Sequence, residues 1–296
     1  MANRQQFVAA PEANSALRNS PMAVSAMKHR FCVFVSFVLI AIAALPASAV
    51  AQSLGLAPAQ VVEKFKPGVP FQFELSTAND GDNTVEMHVQ ITDFWYNDKN
   101  DKLFSDPGST PRSAANWIQF VPEKFAVPAH GTQKMKAIVT PPADAKGGYY
   151  AVLFVESKPQ PSFNKSGDGK TVFTNMRIGC LVLLSAENTE EYKIELSGVK
   201  LTAPTASQPL DVNFDLSNTG NTHVFVLARL AILGPDRKLV AKAESEMKRF
   251  LPGQKDSMHV SWPGNLPAGH YNAVLSVAYG EDRIETQELS FDMAAQ

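Results

Sequence analysis

Cysteine is nearly missing from this chain of 296 residues. Cys32 lies in an N-terminal apolar segment and Cys180 in a strand-like apolar run. If the first segment is removed, the remaining thiol has no partner for an internal disulfide. No histidine and orienting group surround Cys180 in a nucleophile signature, so it reads as a small buried hydrophobe. A surplus of either charge is missing as well. The chain holds 27 basic and 29 acidic residues, and outside residues 1–51 the count is 23 against 28, a net charge of −5. With no basic run interleaved with aromatics, nucleic-acid binding is not expected.

Catalytic and metal signatures are absent too. There is no G-x-S-x-G, no G-x-x-x-x-G-K-[ST], and no G-x-G-x-x-G between a strand and a helix. Of the six histidines, His29 falls in the N-terminal segment and His88 on the polar face of a strand. His130, His223 and His270 sit at turns, and His259 alternates with Met258 and Val260 toward solvent. None has zinc-ligand spacing. Asp98, Asn100, Asp101 and Asp106 match calcium ligands in residue type but lack the order of an EF-hand, and read as a solvated loop. The expectation is no enzyme, no metal and no cofactor. Helical periodicity is also missing beyond residue 52. Residues 239–250 (LVAKAESEMKRF) come closest, and could be a strand pair around a turn.

What is present begins with an address. Lys28-His29-Arg30 precedes the apolar run Phe31–Leu45, then Pro46 and the small residues Ala47-Ser48-Ala49 and Ala49-Val50-Ala51. A basic flank, a short apolar core and an A-x-A site make a secretory signal peptide, with cleavage expected at Ala49 or Ala51. The run is shorter than the roughly 20 residues of a membrane span, so no stable span is expected once the signal is cleaved. Retention as an anchor is the alternative. Residues 1–26 are too long and too weakly basic for an n-region, so translation is expected to start at Met27 (or Met22). The location expected is the periplasm, the cell surface or the exterior.

The remainder alternates. Phe71, Phe73 and Leu75 oppose Gln72, Glu74 and Ser76, and Val85, Met87, Val89 and Ile91 oppose Glu86, His88, Gln90 and Thr92. A period of two marks half-buried antiparallel strands, and the turn Asn79-Asp80-Gly81-Asp82-Asn83 separates these two. The order of events then recurs about 130 residues on: strand, Asn/Gly turn, strand, loop, Pro then Gly, strand, Pro-rich turn, Gly-x-Tyr, strand. The fold class expected is all-β, two tandem immunoglobulin-like β-sandwich domains after the signal, over residues 52–187 and 188–296. Tyr149 or Tyr150, and Tyr271, begin the strand after the Pro/Gly turn. That position suits a tyrosine whose hydroxyl ties the preceding loop.

Residues 157–170 are rich in Pro, Gly, Ser and Lys and read as a flexible loop. They feed a long alternating strand, Thr171–Ser185. Val172, Met176, Ile178, Cys180, Val182 and Leu184 share one face, with Thr174. The other carries Phe173, Asn175, Arg177, Gly179, Leu181 and Leu183. An apolar character on both sides exceeds the needs of one sandwich face. Either this is an ordinary last strand that also packs on the second domain, or it is an edge that pairs with a partner's strand.

The stretch 117–142 (WIQFVPEKFAVPAHGTQKMKAIVTPP), followed by Gly148-Tyr149-Tyr150-Ala151, resembles the first domain of periplasmic pilus-assembly chaperones of the PapD-like family. The loop and strand 157–185 fall where that family has its flexible loop and subunit-capping strand. The resemblance implies donor-strand complementation of an exported partner, pilin-like or a surface subunit, by Val172, Met176, Ile178, Val182 and Leu184, with Lys64, Lys66 and Arg177 as substitutes for the family's basic anchor. Residues 54–75, 148–157 and 175–187 are also similar to exported two-domain WxL-interacting cell-surface proteins, which bind wall components or partner proteins. A structural envelope module that binds peptidoglycan or another glycan is therefore the alternative function. An exposed cluster of Trp95, Tyr96 and Trp117 would support it, while the same residues could simply pack in core and loops.

Overall fold

The computed structural model describes residues 54–161, 173–205 and 207–294. The signal segment with Met27, Cys32, Ala49 and Ala51 lies outside the described residues, as do Val172 and most of the loop 157–170. Residues 51–296 form one compact unit.

Its first part holds β1 (Leu54–Ala57), β2 (Gln60–Phe65), β3 (Phe71–Asn79), β4 (Val85–Tyr96), β5 (Lys102–Ser105), β6 (Ile118–Val121), β7 (Lys124–Val127), β8 (Thr132–Val139), β9 (Gly147–Ser157), β10 (Gln160–Pro161), β11 (Phe173–Thr174) and β12 (Arg177–Ala186). Its second part holds β13 (Ile194–Thr202), β14 (Leu210–Asn218), β15 (Val224–Leu233), β16 (Leu239–Glu244), β17 (Lys248–Phe250), β18 (Lys255–Trp262), β19 (Gly269–Tyr279) and β20 (Arg283–Met293). Among the described residues the sole helical element is a 3-10 turn, Ala115–Trp117.

The strands make two sandwiches. In the first, the sheet β1-β3-β8-β6 faces the sheet β2-β12-β9-β4-β5, with β7 on β4. In the second, β13-β14-β18 faces β16-β15-β19-β20, with β17 on β15. Each sandwich encloses its own core. Val61, Phe65, Leu75, Met135, Leu153, Val182 and Leu184 belong to the first; Val212, Phe214, Leu230, Phe250, Leu275 and Phe291 belong to the second. Alternation along each strand sends these residues inward and their neighbours out.

The recurring turns hold the hairpins by one device used twice. Asn79 is buried at the end of β3. Its Nδ2 donates to the carbonyls of Asn83, Val127 and Pro128, and its Oδ1 accepts from the Gly81 amide. Asn218 at the end of β14 repeats this, donating to the carbonyls of Thr222 and Phe250 and accepting from the Gly220 amide. A side-chain amide has donors and an acceptor to satisfy several loop backbone groups at once, which no apolar residue can do. The tyrosines also pair off: the Lys146 amide donates to Tyr149 Oη (3.3 Å), and Tyr271 Oη donates to the Pro267 carbonyl (3.0 Å). Tyr149, not Tyr150, is thus the counterpart of Tyr271.

Three expectations need correction. The segment 239–250 is not a strand pair around its own turn. β16 and β17 both pair with β15, at Arg229–Leu233 and Val224–Val226 respectively, because the ten-residue backbone edge of β15 is long enough to hold both. His270 sits within β19 opposite Asp292, not at a turn. The single strand 171–185 is two, broken at Asn175–Met176. There the buried Ser157 Oγ accepts the Met176 amide (2.9 Å) while the Ser157 amide donates to the Met176 carbonyl, so a side chain replaces one rung of the ladder.

Candidate partner-strand edge

β12 runs antiparallel to β9 along its whole length, from Arg177 opposite Glu156 to Ala186 opposite Gly147. On its other side lies β2, parallel, and β2 reaches only from Leu181 to Ala186. β12 is therefore covered on both sides in its second half and on one side in its first. Successive residues of a strand direct their N–H and C=O to opposite neighbours. The Leu181 amide donates to Ala59, on the β2 side, and the Met176 groups point to Ser157, on the β9 side. Odd-numbered residues thus face the β2 side. Arg177 and Gly179 turn their backbone donors and acceptors to a flank where no strand is paired with them among the described residues.

The side chains around this open half are arranged on two faces. Inward, Met176 and Ile178 are half-buried at the mouth of the sandwich, and Cys180 is fully buried. Burial pushes the Cys180 thiol up to about 11, so it is no nucleophile. Outward, the Arg177 guanidinium lies 3.7 Å from the centroid of the Phe154 ring and donates to Gln90 Oε1 (2.9 Å). Its Nε stands 3.8 Å from Glu156 Oε2. Phe154 in turn covers Gly179, where a Cβ would meet the ring at 2.9 Å, and it meets Phe104 edge-on at 5.2 Å. Gly179 is there so that the ring can lie flat on the edge.

Two of the residues expected to meet a partner do not face one. Val182 and Leu184 are 0% exposed in the first core, on the stretch of β12 that β2 closes. Their apolar character belongs to folding. Met176, Ile178 and Arg177 do border the open half. The apolar residues of the opposite face have a different explanation. Leu183 and Val152 are buried with Phe94 and Tyr150 against Leu251 of the second sandwich, so this strand also packs on the second body.

That seam carries several direct contacts. The Gly148 amide donates to the Asn221 carbonyl (2.9 Å), and the Ser185 and Thr222 hydroxyls share a bond of 2.8 Å. Arg249 donates to Gln60 Oε1 and Tyr96 Oη, and Gln254 to Asn100 Oδ1. Lys64 of β2 bonds Glu281 and stands 3.2 Å from Glu190. The Glu281 partner, above all, holds the ammonium above its ordinary range, and Lys64 likewise lowers Glu281. None of these seam residues was legible as such, since nothing in a single strand says which body will cover its outer face.

The proposed aromatic platform is dispersed. Trp117 packs into the first core, 4.4 Å from Tyr149 and 6.0 Å from Phe65. Tyr96 belongs to the seam through Arg249. Trp95 is exposed, on the opposite side of β4 from Tyr96. Asn100 likewise bonds Gln254, and among the described residues no group of three or more His, Cys, Asp or Glu is placed to hold a metal ion.

No family model matches the chain, and no curated protein matches it. Among solved structures it is similar to the class 5 fimbriae chaperone CfaA, 12% identical over 82% of this chain and 100% of that one, with a TM-score of 0.45. It is also similar to the E. coli chaperone DraB, 15% identical over 82% and 98%, TM-score 0.39. A third is the PapD-like domain of human CEP192, 13% identical over 49% and 93%, TM-score 0.30.

Proposed function

We propose that this chain is an exported, non-enzymatic binding protein of the pilus-chaperone-like class, and that its first sandwich engages an exported protein partner by strand pairing. The observation that carries the reading is the flank of β12 beyond β2, where the backbone groups of Arg177 and Gly179 point away from β9 and no strand among the described residues is paired with them. Sheet edges that are not meant to pair are blunted by proline, bulges or charges turned outward along the edge. Here no proline or register shift interrupts Arg177–Cys180, and the one charge, Arg177, is folded back over Phe154. Main-chain bonds along such an edge supply affinity, and alternate side chains supply selectivity. Met176 and Ile178 on one face, with Phe154, Phe104 and Arg177 on the other, are the contacts a pilin-like or surface subunit would meet.

Export to the periplasm or cell surface rests on the signal segment, and among the described residues no helix is long and apolar enough to cross a membrane. The glycan-binding alternative loses its support with the dispersal of Trp95, Tyr96 and Trp117.

Arg177→Pro removes one outward amide without costing a β9 bond, and Arg177→Ala removes the side chain alone. From an envelope extract, Arg177→Ala is expected to capture the same partner as the wild type, and Arg177→Pro to lose it at least tenfold while unfolding at the same denaturant concentration. Equal capture by all three would overturn the reading, and sedimentation with purified cell wall by all three would favour the glycan module.

A further inference from the structure

Not every polar atom buried in the seam finds a partner. His223 directly precedes β15, and continuing the register in which Val224 faces Phe250 and Phe225 faces Arg249 sets it opposite Leu251. Its ring meets Tyr150 of β9 edge-on at 5.8 Å and Phe225 at 5.7 Å. Only 7% of it is exposed, and its Nδ1 is buried with no hydrogen-bond partner among the described residues. On the same face stands Arg249, whose Nη atoms hold Gln60 and Tyr96 of the first sandwich and whose Nε is also unpartnered. The other titratable or charged groups at this part of the seam are Tyr150 from β9, Tyr96 from β4, Arg112, which donates to the Gly148 carbonyl, and Lys248 and Asp256, which line the cleft beside Arg249 and Phe225. Asp256, the one carboxylate among them, is already paired with Lys248.

We propose that the seam between the two sandwiches is an acid-sensitive joint. A proton on His223 would put a second positive charge beside Arg249, between two aromatic rings and with no unpaired anion among these groups to answer it, so the sandwiches part at His223 before either core unfolds. A buried unpaired charge is among the costliest features a fold can carry. Burial, reinforced by Arg249, pushes the His223 imidazole down to about 4 from its ordinary 6.5. The sign follows from where each state binds the proton. With the seam open, His223 binds it below about pH 6.5; with the seam closed, only below about 4. Seam stability is therefore complete above pH 6.5, declines as pH falls from 6.5 to 4, and is level below that. At pH 5 opening is favoured about thirtyfold over its level at pH 8.

Amide hydrogen exchange of the whole protein at pH 5.0 and pH 7.5, corrected for the intrinsic rate, tests this. The reporter is the Gly148 amide, which bonds Asn221 directly across the seam; the core control is Leu275 in β19. In the wild type, Gly148 is expected to lose at least tenfold in protection at pH 5.0 while Leu275 keeps its own. His223→Gln should hold Gly148 equally protected at both pH values. Where that variant folds poorly, Arg249→Gln should reduce the loss, because the neighbouring charge is gone. Equal loss at Gly148 and Leu275, or the same pH dependence in the wild type and both variants, would overturn the joint.

Discussion

Asn79 and Asn218 each satisfy loop backbone groups that would otherwise be buried unpaired. Asn218→Ala is therefore expected to lower stability by about 2–4 kcal/mol, whereas Asn213→Ala, on an exposed stretch of β14, should change it by less than about 0.5 kcal/mol. Urea unfolding of both variants decides this. Gly148 has a more local reason to be glycine. A Cβ there would lie 2.2 Å from Tyr150 Oη and 3.0 Å from Thr222 Oγ1. Tyr150 Oη is itself buried without a hydrogen bond among the described residues. Gly148→Ala should destabilise markedly, and adding Tyr150→Phe should restore part of the loss by removing the closest colliding atom, the ring Cζ at 2.9 Å being left. A double-mutant cycle with no recovery would contradict this. At this scale the sequence was largely readable. The asparagines and tyrosines stand beside Gly and Pro turns that recur in both halves, so their roles follow from position. The pairing of His223 with Tyr150 did not, because it joins residues of two different sandwiches.

Among the elements, β12 owes its character to what lies on each side. Its alternating apolar pattern was visible from residue 171 onward, but a parallel neighbour was not. β2 and the second half of β12 are joined by no hairpin, and nothing local marks residues 60–65 as the strand that covers 181–186. That gap in the pattern is why Val182 and Leu184 looked available while being core. β2 is held by Val61 and Phe65, the latter 6.0 Å from both Phe71 and Trp117. Phe65→Ala is expected to cost about 3–5 kcal/mol. It should also speed exchange selectively at Leu181, Leu183 and Ser185, whose amides point toward β2, and leave Val182 and Leu184, bonded to β9, slow. Uniform acceleration along β12 would mean that β2 is not the separate cover described here. Cys180, on the inner face of the same strand, should react with a thiol reagent only after unfolding.

For the whole molecule, the two sandwiches differ in use although they repeat in plan. The first keeps one open flank beside Arg177 and Gly179, and its outer sheet face is occupied by Leu251, His223 and Arg249 of the second. The second sandwich thereby also steadies β2 through Lys64 and Gln60, the strand that sets where the open flank ends. Strand pairing at that flank is decided by amide exchange in the complex isolated with its partner. The Arg177 and Gly179 amides are expected to slow at least tenfold on binding, while Leu181, already bonded to Ala59, does not change. Arg177 and Gly179 exchanging as fast in the complex as in the free protein would contradict it.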